Sequence, residues 1–471
     1  MSGINLQARL EKIRAVLDGK NLHEIRQVGR YVGVHRPTDM KKELLINYIL
    51  DLAQNKIAPV PLSKRGAPPK SKKYDADIVN EVKFCRALSS GEQVEMEKQI
   101  FAVCSNEGEN KGYKGILVKL NGGYFFKTII EKNVCHVAFS NDLVNEFKLC
   151  YGDVLTCVLD LNKNKTALEV SSVISVNDDR PQLRCEREKF DDLPVYYCNE
   201  KYEMSSGSND NTLRLIDFFT PLGVGQRTII AAPEQTGKTT LLKKIATALL
   251  KCNRDVKIYA LLIGGRPEDI ADFKRTVTGV ETVSSSFDTS GAENAFLVEY
   301  TLERAKRLVE MGKEVVILCD GLNNLVQSHN AFINVTKSAM GEINVDALME
   351  AKKFFASARK VEKGALTIVA TVTTQTGDPI DDYVYRQFTA VSNAHITLAL
   401  HYLDGEFFPV LDFANSGMRM DNALFTACQM RAVNKVKEAI NDKITCEEIY
   451  SLINDCKNNE EFCKKLIERL K

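Results

Sequence analysis

The stretch I-I-A-A-P-E-Q-T-G-K-T-T-L-L, residues 229–242, decides the fold. An apolar run of strand character enters a tight turn, and Gly237-Lys238-Thr239 opens an apolar stretch of helical character. That order is a P-loop: backbone N–H groups wrap phosphate oxygens, the lysine reaches the terminal phosphates, and the hydroxyl reaches Mg²⁺. The helix N-terminus adds its partial positive charge at the same point. Pro233, Thr236, Gly237, Lys238, Thr239 and Thr240 are therefore the candidate ATP-binding residues. Ala232 stands where the first glycine of the motif is usual. A chance G-K-T between apolar runs would need strand, loop and helix to coincide with the mechanism by accident.

A P-loop ATPase also needs a second strand ending in a carboxylate that holds the Mg²⁺ water shell. Residues 315–320, V-V-I-L-C-D, supply one. An ordinary turn aspartate after a buried strand would look the same alone. Its place after Lys238 favours the metal reading, so Thr239 and Asp320 are the candidate Mg²⁺ ligands.

Apolar runs at 228–231, 256–263, 315–319, 366–371 and 394–400 alternate with helical stretches. The alternation predicts a parallel sheet with helices on both faces, a RecA-like α/β P-loop domain over 213–427. A helical segment follows at 428–471. Before it, 178–212 is a polar connector ending in S-S-G-S-N-D.

Residues 81–177 carry short alternating runs separated by Gly, Asn and Asp, predicting a small cold-shock or OB-like β-barrel. Within it Tyr124, Phe125, Phe126 and Lys127 set three rings beside a cation, the composition of a stacking platform for single-stranded RNA. Aromatic side chains in a barrel strand are more often core, and that alternative stands beside the binding one. Residues 57–80 form a basic Pro-rich linker, and 1–56 read as a small helical domain, with Leu6, Leu10, Ile13 and Leu17 at helical spacing.

Charge is nearly balanced over the whole chain, at +1. Its distribution is not: residues 1–80 hold fifteen Lys/Arg against eight Asp/Glu, which suits a polyanion or simply a solvated surface. Thirteen cysteines without a C-x-x-C pair speak against a disulfide scaffold or zinc site. With no signal peptide and no apolar run of about eighteen residues, a soluble cytoplasmic protein with no membrane partner is expected.

The chain resembles the Rho family of transcription termination factors along nearly its whole length. The resemblance rests on P-L-G-V-G-Q-R (221–227), the P-loop at 232–239, L-L-I with R-P-E (261–263 and 266–268), A-K-R-L-V-E (305–310), K-F-F (353–355) and N-S-G-M-R (415–419), in order. It implies a homohexameric ring that catches RNA on the barrels and draws it through a central channel by ATP hydrolysis, acting on an RNA polymerase elongation complex. It also implies that each nucleotide sits between subunits. Arg419 would be the arginine finger from the neighbour, and Arg266 a further arginine near the phosphates.

The departures fall on turnover and traction. Gly264-Gly265 replaces the family's Asp-Glu, so the carboxylate that orients the attacking water is missing at Gly265. Glu268 and Asp269 match family positions of their own and are not expected to point at the γ-phosphate. Asn324 replaces an arginine, Gln235 a P-loop lysine, and Pro379 the RNA-gripping lysine of one channel loop. In the other channel loop Lys337 keeps a cation, as a further RNA-binding candidate. In the barrel a stacking aromatic falls near Ala138, with Phe139 one place off.

Two readings follow: an active RNA-dependent ATPase and helicase with a weakened base, or a hydrolysis-deficient paralogue that clamps RNA or regulates a true terminator. A rotary ATPase subunit is a more distant third, disfavoured by the barrel and the basic linker.

Overall fold

The computed structural model describes residues 13–34, 37–54, 56, 112–120, 123–130, 133–161, 168–181, 187–207, 210–251, 255–333, 344–399, 408–419, 423–440 and 443–470. The basic linker and Lys337 lie outside them.

The N-terminal helices are α1 (Leu22–Val32) and α2 (Lys42–Ala53). The Asn21 side chain and Glu24 form a capping box that satisfies two otherwise unpaired N–H groups at the start of α1. Gly33, at φ 90°, closes the helix in the left-handed conformation that favours glycine. Ile25, Val28, Leu45 and Ile49 make the buried face between the two helices, whereas Leu44 is exposed.

Five strands close into a barrel: β1 (Tyr113–Leu120), β2 (Gly123–Ile130), β3 (Asn133–Ala138), β4 (Val154–Leu161) and β5 (Leu168–Val176), in the order β1-β2-β3-β5-β4. A short helix, α3 (Asn141–Glu146), separates β3 from β4. Gly115 makes room for the Phe126 ring, since a Cβ there would lie 2.8 Å from its Cε2. Phe126 is fully buried and Lys127 is 5% exposed. Neither of these two side chains is therefore presented at the surface, although adjacent strand residues point to opposite faces.

The connector adds β6 (Val195–Tyr196), and α4 (Asn211–Phe219) leads into the large sheet. Its first half runs β7 (Arg227–Ala232), α5 (Lys238–Lys251), β8 (Val256–Gly265), α6 (Pro267–Thr276), β9 (Glu281–Ser286) and α7 (Gly291–Val309). Next come β10 (Glu314–Asp320), α8 (Leu322–Ile333), α9 (Val345–Ala356) and β11 (Arg359–Val361). The half closes with β12 (Gly364–Thr373), α10 (Pro379–Thr389), β13 (Ala394–Thr397) and β14 (Gly417–Met418). The sheet order is β14-β13-β7-β12-β10-β8-β9, parallel from β13 to β9 with β14 antiparallel at one edge. Ile229, Ile230, Val315–Cys319 and Leu366 are wholly or almost wholly buried, as strands covered on both faces require. After β7 the chain skips two strand positions to reach β8, which opens a crevice at the carboxyl ends of β7, β12, β10 and β8. Helices α11 (Ala427–Ala439), α12 (Cys446–Asn454) and α13 (Asn459–Arg469) finish the chain and pack Val433, Ile449, Tyr450 and Phe462 into the same core.

Arg187 in the connector ties the approach to β4 to the end of α7. Its guanidinium lies 2.9 Å from Asp153 Oδ1 and 3.0 Å from Glu310 Oε2, and all three side chains are at most 5% exposed. Burial pushes the Glu310 carboxyl up, and Arg307 and Arg187 oppose that shift. Removing one member of a buried ion network leaves the others uncompensated, at about 3–5 kcal/mol. Arg187→Ala is expected to destabilise the protein by about that much in denaturant titrations, and an unchanged midpoint would contradict it.

Candidate nucleotide site

The P-loop leaves the carboxyl end of β7 and turns into α5. Gln235 (φ 60°) and Gly237 (φ 90°) both take left-handed backbone, which turns the loop sharply ahead of the helix. Thr236 is buried, and its hydroxyl donates to the Pro233 carbonyl at 2.8 Å, so this side chain braces the loop. Lys238 Nζ donates to the Pro233 and Ala232 carbonyls at 2.7 and 3.3 Å. Burial pushes its pKa down, while Asp320 and Glu234 hold it up. An ammonium so placed has its charge only partly balanced and suits phosphate oxygens. Thr240 stands half-buried in the first turn of α5.

Asp320 ends β10 within reach of that turn. Its Oδ2 accepts from the Thr239 hydroxyl at 2.6 Å, and its Oδ1 accepts from the Thr371 hydroxyl at 2.6 Å. Thr371 comes from β12, so three elements bring together a hard-oxygen donor set of the kind Mg²⁺ takes beside a nucleotide. The crevice beyond it is lined by Thr239, Gly265, Asp269, Asp320, Asn323 and Asn324. Gly264 is left-handed at φ 62°, and Asn324 Nδ2 donates to the Ile263 carbonyl at 2.9 Å, which fixes the end of β8. Arg266 follows as the N-cap residue of α6 and is exposed.

Two features were not legible in the sequence. Phe408 and Pro409 lie against the P-loop: a Cβ at Gly237 would come within 2.7 Å of the Phe408 ring. Lys244 of α5 holds the Phe408 carbonyl at 2.8 Å. The second is Asp269, which lines the crevice although its match to a family position of its own set it aside.

Arg419 lies elsewhere. Its N–H donates to the Asn393 carbonyl at 2.7 Å, and Asn393 Oδ1 in turn accepts from the Arg227 N–H, at the start of β7. At about 3.3 Å per residue, the length of β7 sets Arg419 roughly 17 Å along the strands from the P-loop of its own chain. It is not brought together with Lys238, Thr239 and Asp320.

The chain is 32% identical over 381 residues to a transcription termination factor Rho of Cereibacter sphaeroides, a match covering 78% of this chain and 90% of that protein. The chain belongs to the Rho family of transcription termination factors. A Rho of Borreliella burgdorferi is 31% identical over 84% of this chain and 80% of its own length. That of Aquifex aeolicus is 29% identical over 96% of this chain and 95% of its own length. Residues 212–417 match the ATP synthase alpha/beta family, nucleotide-binding domain. An ATPase from the type III secretion system of pathogenic bacteria shares the fold, with a TM-score of 0.50 at 19% identity over 60% of this chain and 88% of that one.

This Rho-family chain is thus an ATP-binding factor built on a P-loop sheet. Among the described residues no helix is long and apolar enough to cross a membrane. Loss of the Lys238 ammonium removes charged hydrogen bonds to phosphate worth about 1.5–3 kcal/mol. Lys238→Ala is therefore expected to weaken ATP binding roughly 10- to 100-fold in calorimetry. Equal affinity for mutant and wild type would sink the assignment.

Proposed function

We propose that this chain is a ring-forming, RNA-binding member of the Rho family that binds ATP with Mg²⁺ and turns it over slowly. The reading rests on the crevice beside Thr239 and Asp320. The phosphate and metal side chains are kept there, while Gly265 has no carboxylate to orient water. Thr239 and Asp320 would hold Mg²⁺, which neutralises charge on the phosphates when bound. Pro233, Thr236, Gly237, Lys238 and Thr240 would cradle those phosphates. Arg266, exposed and next in the chain to Gly265 of the crevice lining, would meet the terminal phosphate of its own subunit. The remoteness of Arg419 from its own P-loop supports a finger acting on a neighbour's nucleotide, hence a closed ring, with six subunits expected from the family. ATP turnover with and without pyrimidine-rich RNA, measured beside nucleotide affinity, tests the reading. Brisk RNA-stimulated turnover by the unmodified protein would refute slow hydrolysis.

One observation favours the second reading, an RNA clamp or a regulator of a true terminator rather than a translocase. The exposed turn at 375–379 carries Asp378 as the N-cap of α10, with Pro379 at its first position and Asp381 and Asp382 in its first turn. Asp381 accepts from the Thr376 hydroxyl at 2.7 Å and from Asn323 Nδ2 at 2.6 Å, so the turn is latched to the start of α8. An acidic, latched turn grips a polyanion poorly.

RNA would be met on the barrel by Tyr124 and Phe125, both half-buried, with Lys119 Nζ 5.7 Å from the centre of the Tyr124 ring. Base stacking contributes about 1–3 kcal/mol per aromatic side chain, and phosphate contacts make affinity fall with salt. Tyr124→Ala and Phe125→Ala are each expected to weaken binding of pyrimidine-rich RNA by about that much without loss of fold. Phe126→Ala is expected to cost about 3–5 kcal/mol of barrel stability instead. Full RNA affinity in both folded surface variants would remove the platform.

A further inference from the structure

With the family's carboxylate position occupied by Gly265, any water-orienting group must come from elsewhere in the crevice. Among the described residues that line it, only two carry carboxylates, Asp320 and Asp269. Asp320 is committed: one oxygen accepts from Thr239 and the other from Thr371, and it is a proposed Mg²⁺ ligand. Asp269 is the third residue of α6, in the exposed first turn after Pro267.

Two glycines end β8 beside this turn. A Cβ at Gly265 would sit 3.2 Å from Ile270 Cγ1, so any side chain at Gly265 would stand against the same turn of α6 that carries Asp269. At Gly264 a Cβ would meet Asn324 first, 3.5 Å from its Nδ2. Neighbouring Glu268 does not line the crevice. The crevice is thus lined by Asp269 while position 265 carries no carboxylate.

We propose that Asp269 is the carboxylate that orients and deprotonates the attacking water in this chain. The assignment rests on the nucleotide-site reading above. The water oxygen forms a bond to the γ-phosphorus and gives one proton to the Asp269 carboxylate. The bond from that phosphorus to the β–γ bridging oxygen breaks, and its electron pair leaves with ADP. Asp269 then releases the proton to solvent, so the products are ADP and inorganic phosphate. Aspartate is one methylene shorter than the usual glutamate and enters from the helix rather than the strand. That path is consistent with slow turnover.

The test uses the full chain with Mg²⁺–ATP, reading phosphate release under single-turnover conditions and nucleotide affinity by calorimetry. Asp269→Asn is expected to lower the rate by about 10²-fold or more, as loss of a general base does, with affinity essentially unchanged. Asp269→Glu is expected to keep most of the rate, and Glu268→Gln all of it. In a Gly265→Glu background the second carboxylate takes over the water. There Asp269→Asn is expected to lose little, a non-additivity that a merely structural role for Asp269 would not produce. An Asp269→Asn variant releasing phosphate at the wild-type rate overturns the assignment. So does a wild type that binds ATP but releases no phosphate. A wild type that binds no nucleotide overturns the site reading itself, and this assignment falls with it.

Discussion

Gly265→Glu is expected to raise ATP turnover by about 10- to 100-fold, the part of the usual 10²–10⁴-fold worth of a positioned general base that Asp269 does not already supply. The rest of the pocket supports the gain, because Lys238, Thr239 and Asp320 are already assembled around the P-loop. The new Cβ would lie 3.2 and 3.4 Å from Ile270 Cγ1 and Cδ1, tight enough that Ile270 must yield by a few tenths of an ångström. Ile270 is a branched side chain with only 9% exposure, so Ile270→Val beside Gly265→Glu is expected to give the larger gain. RNA unwinding is a separate matter. It is not expected to return until Pro379→Lys puts a cation into the turn that now carries Asp378, Asp381 and Asp382. A Gly265→Glu protein that binds ATP as before yet hydrolyses it no faster would show that the barrier lies outside this crevice.

The parts of the fold legible in the sequence were those where one residue pattern has one physical solution. Strands β7, β8, β10 and β12 are mostly buried on both faces, so each contains a largely apolar run, whereas β13 alternates buried and half-buried positions. Strand β9 was not legible: E-T-V-S-S-S at the sheet's edge carries one strongly apolar residue and pairs on one side only. In the barrel, β3 alternates Asn133, Val134, Cys135, His136 and Val137 too weakly to stand out from its turns. The run at 124–127 shows the limit most plainly. Of four adjacent side chains suited to a stacking platform, two are half-buried and two buried, and room for the Phe126 ring is made by Gly115 on the neighbouring strand. At the nucleotide site, Lys238, Thr239 and Asp320 were legible because their roles follow a local order. Phe408 over Gly237 and Asp269 in the crevice depend on contacts or a helix start that no local pattern records.

Arg419→Ala is expected to lower whatever turnover the wild type has by about 10³–10⁵-fold, the effect of an arginine finger on phosphoryl transfer, with ATP affinity little changed. In the sheet Arg419 stands too far from its own P-loop to act there, so the proposed finger would have to act on a neighbour's nucleotide. Strand β14 runs antiparallel to β13 and carries the chain away from the P-loop end, pairing Gly417 with His395 and Met418 with Ala394. Arg419 then reaches the level of Arg227, where β7 begins. An extended arginine spans far less than the roughly 17 Å of strand between there and its own P-loop. Mixing separates this arrangement from a structural role. Lys238→Ala subunits bind nucleotide poorly but keep Arg419, and Arg419→Ala subunits bind nucleotide but lack the finger. Each alone is expected to be inactive. Mixed before assembly, they are expected to recover part of the wild-type rate, because some interfaces then pair an intact P-loop with an intact Arg419. No recovery in mixtures that demonstrably co-assemble would assign Arg419 to the fold of its own subunit and leave the transition-state charge to Arg266 and Lys238.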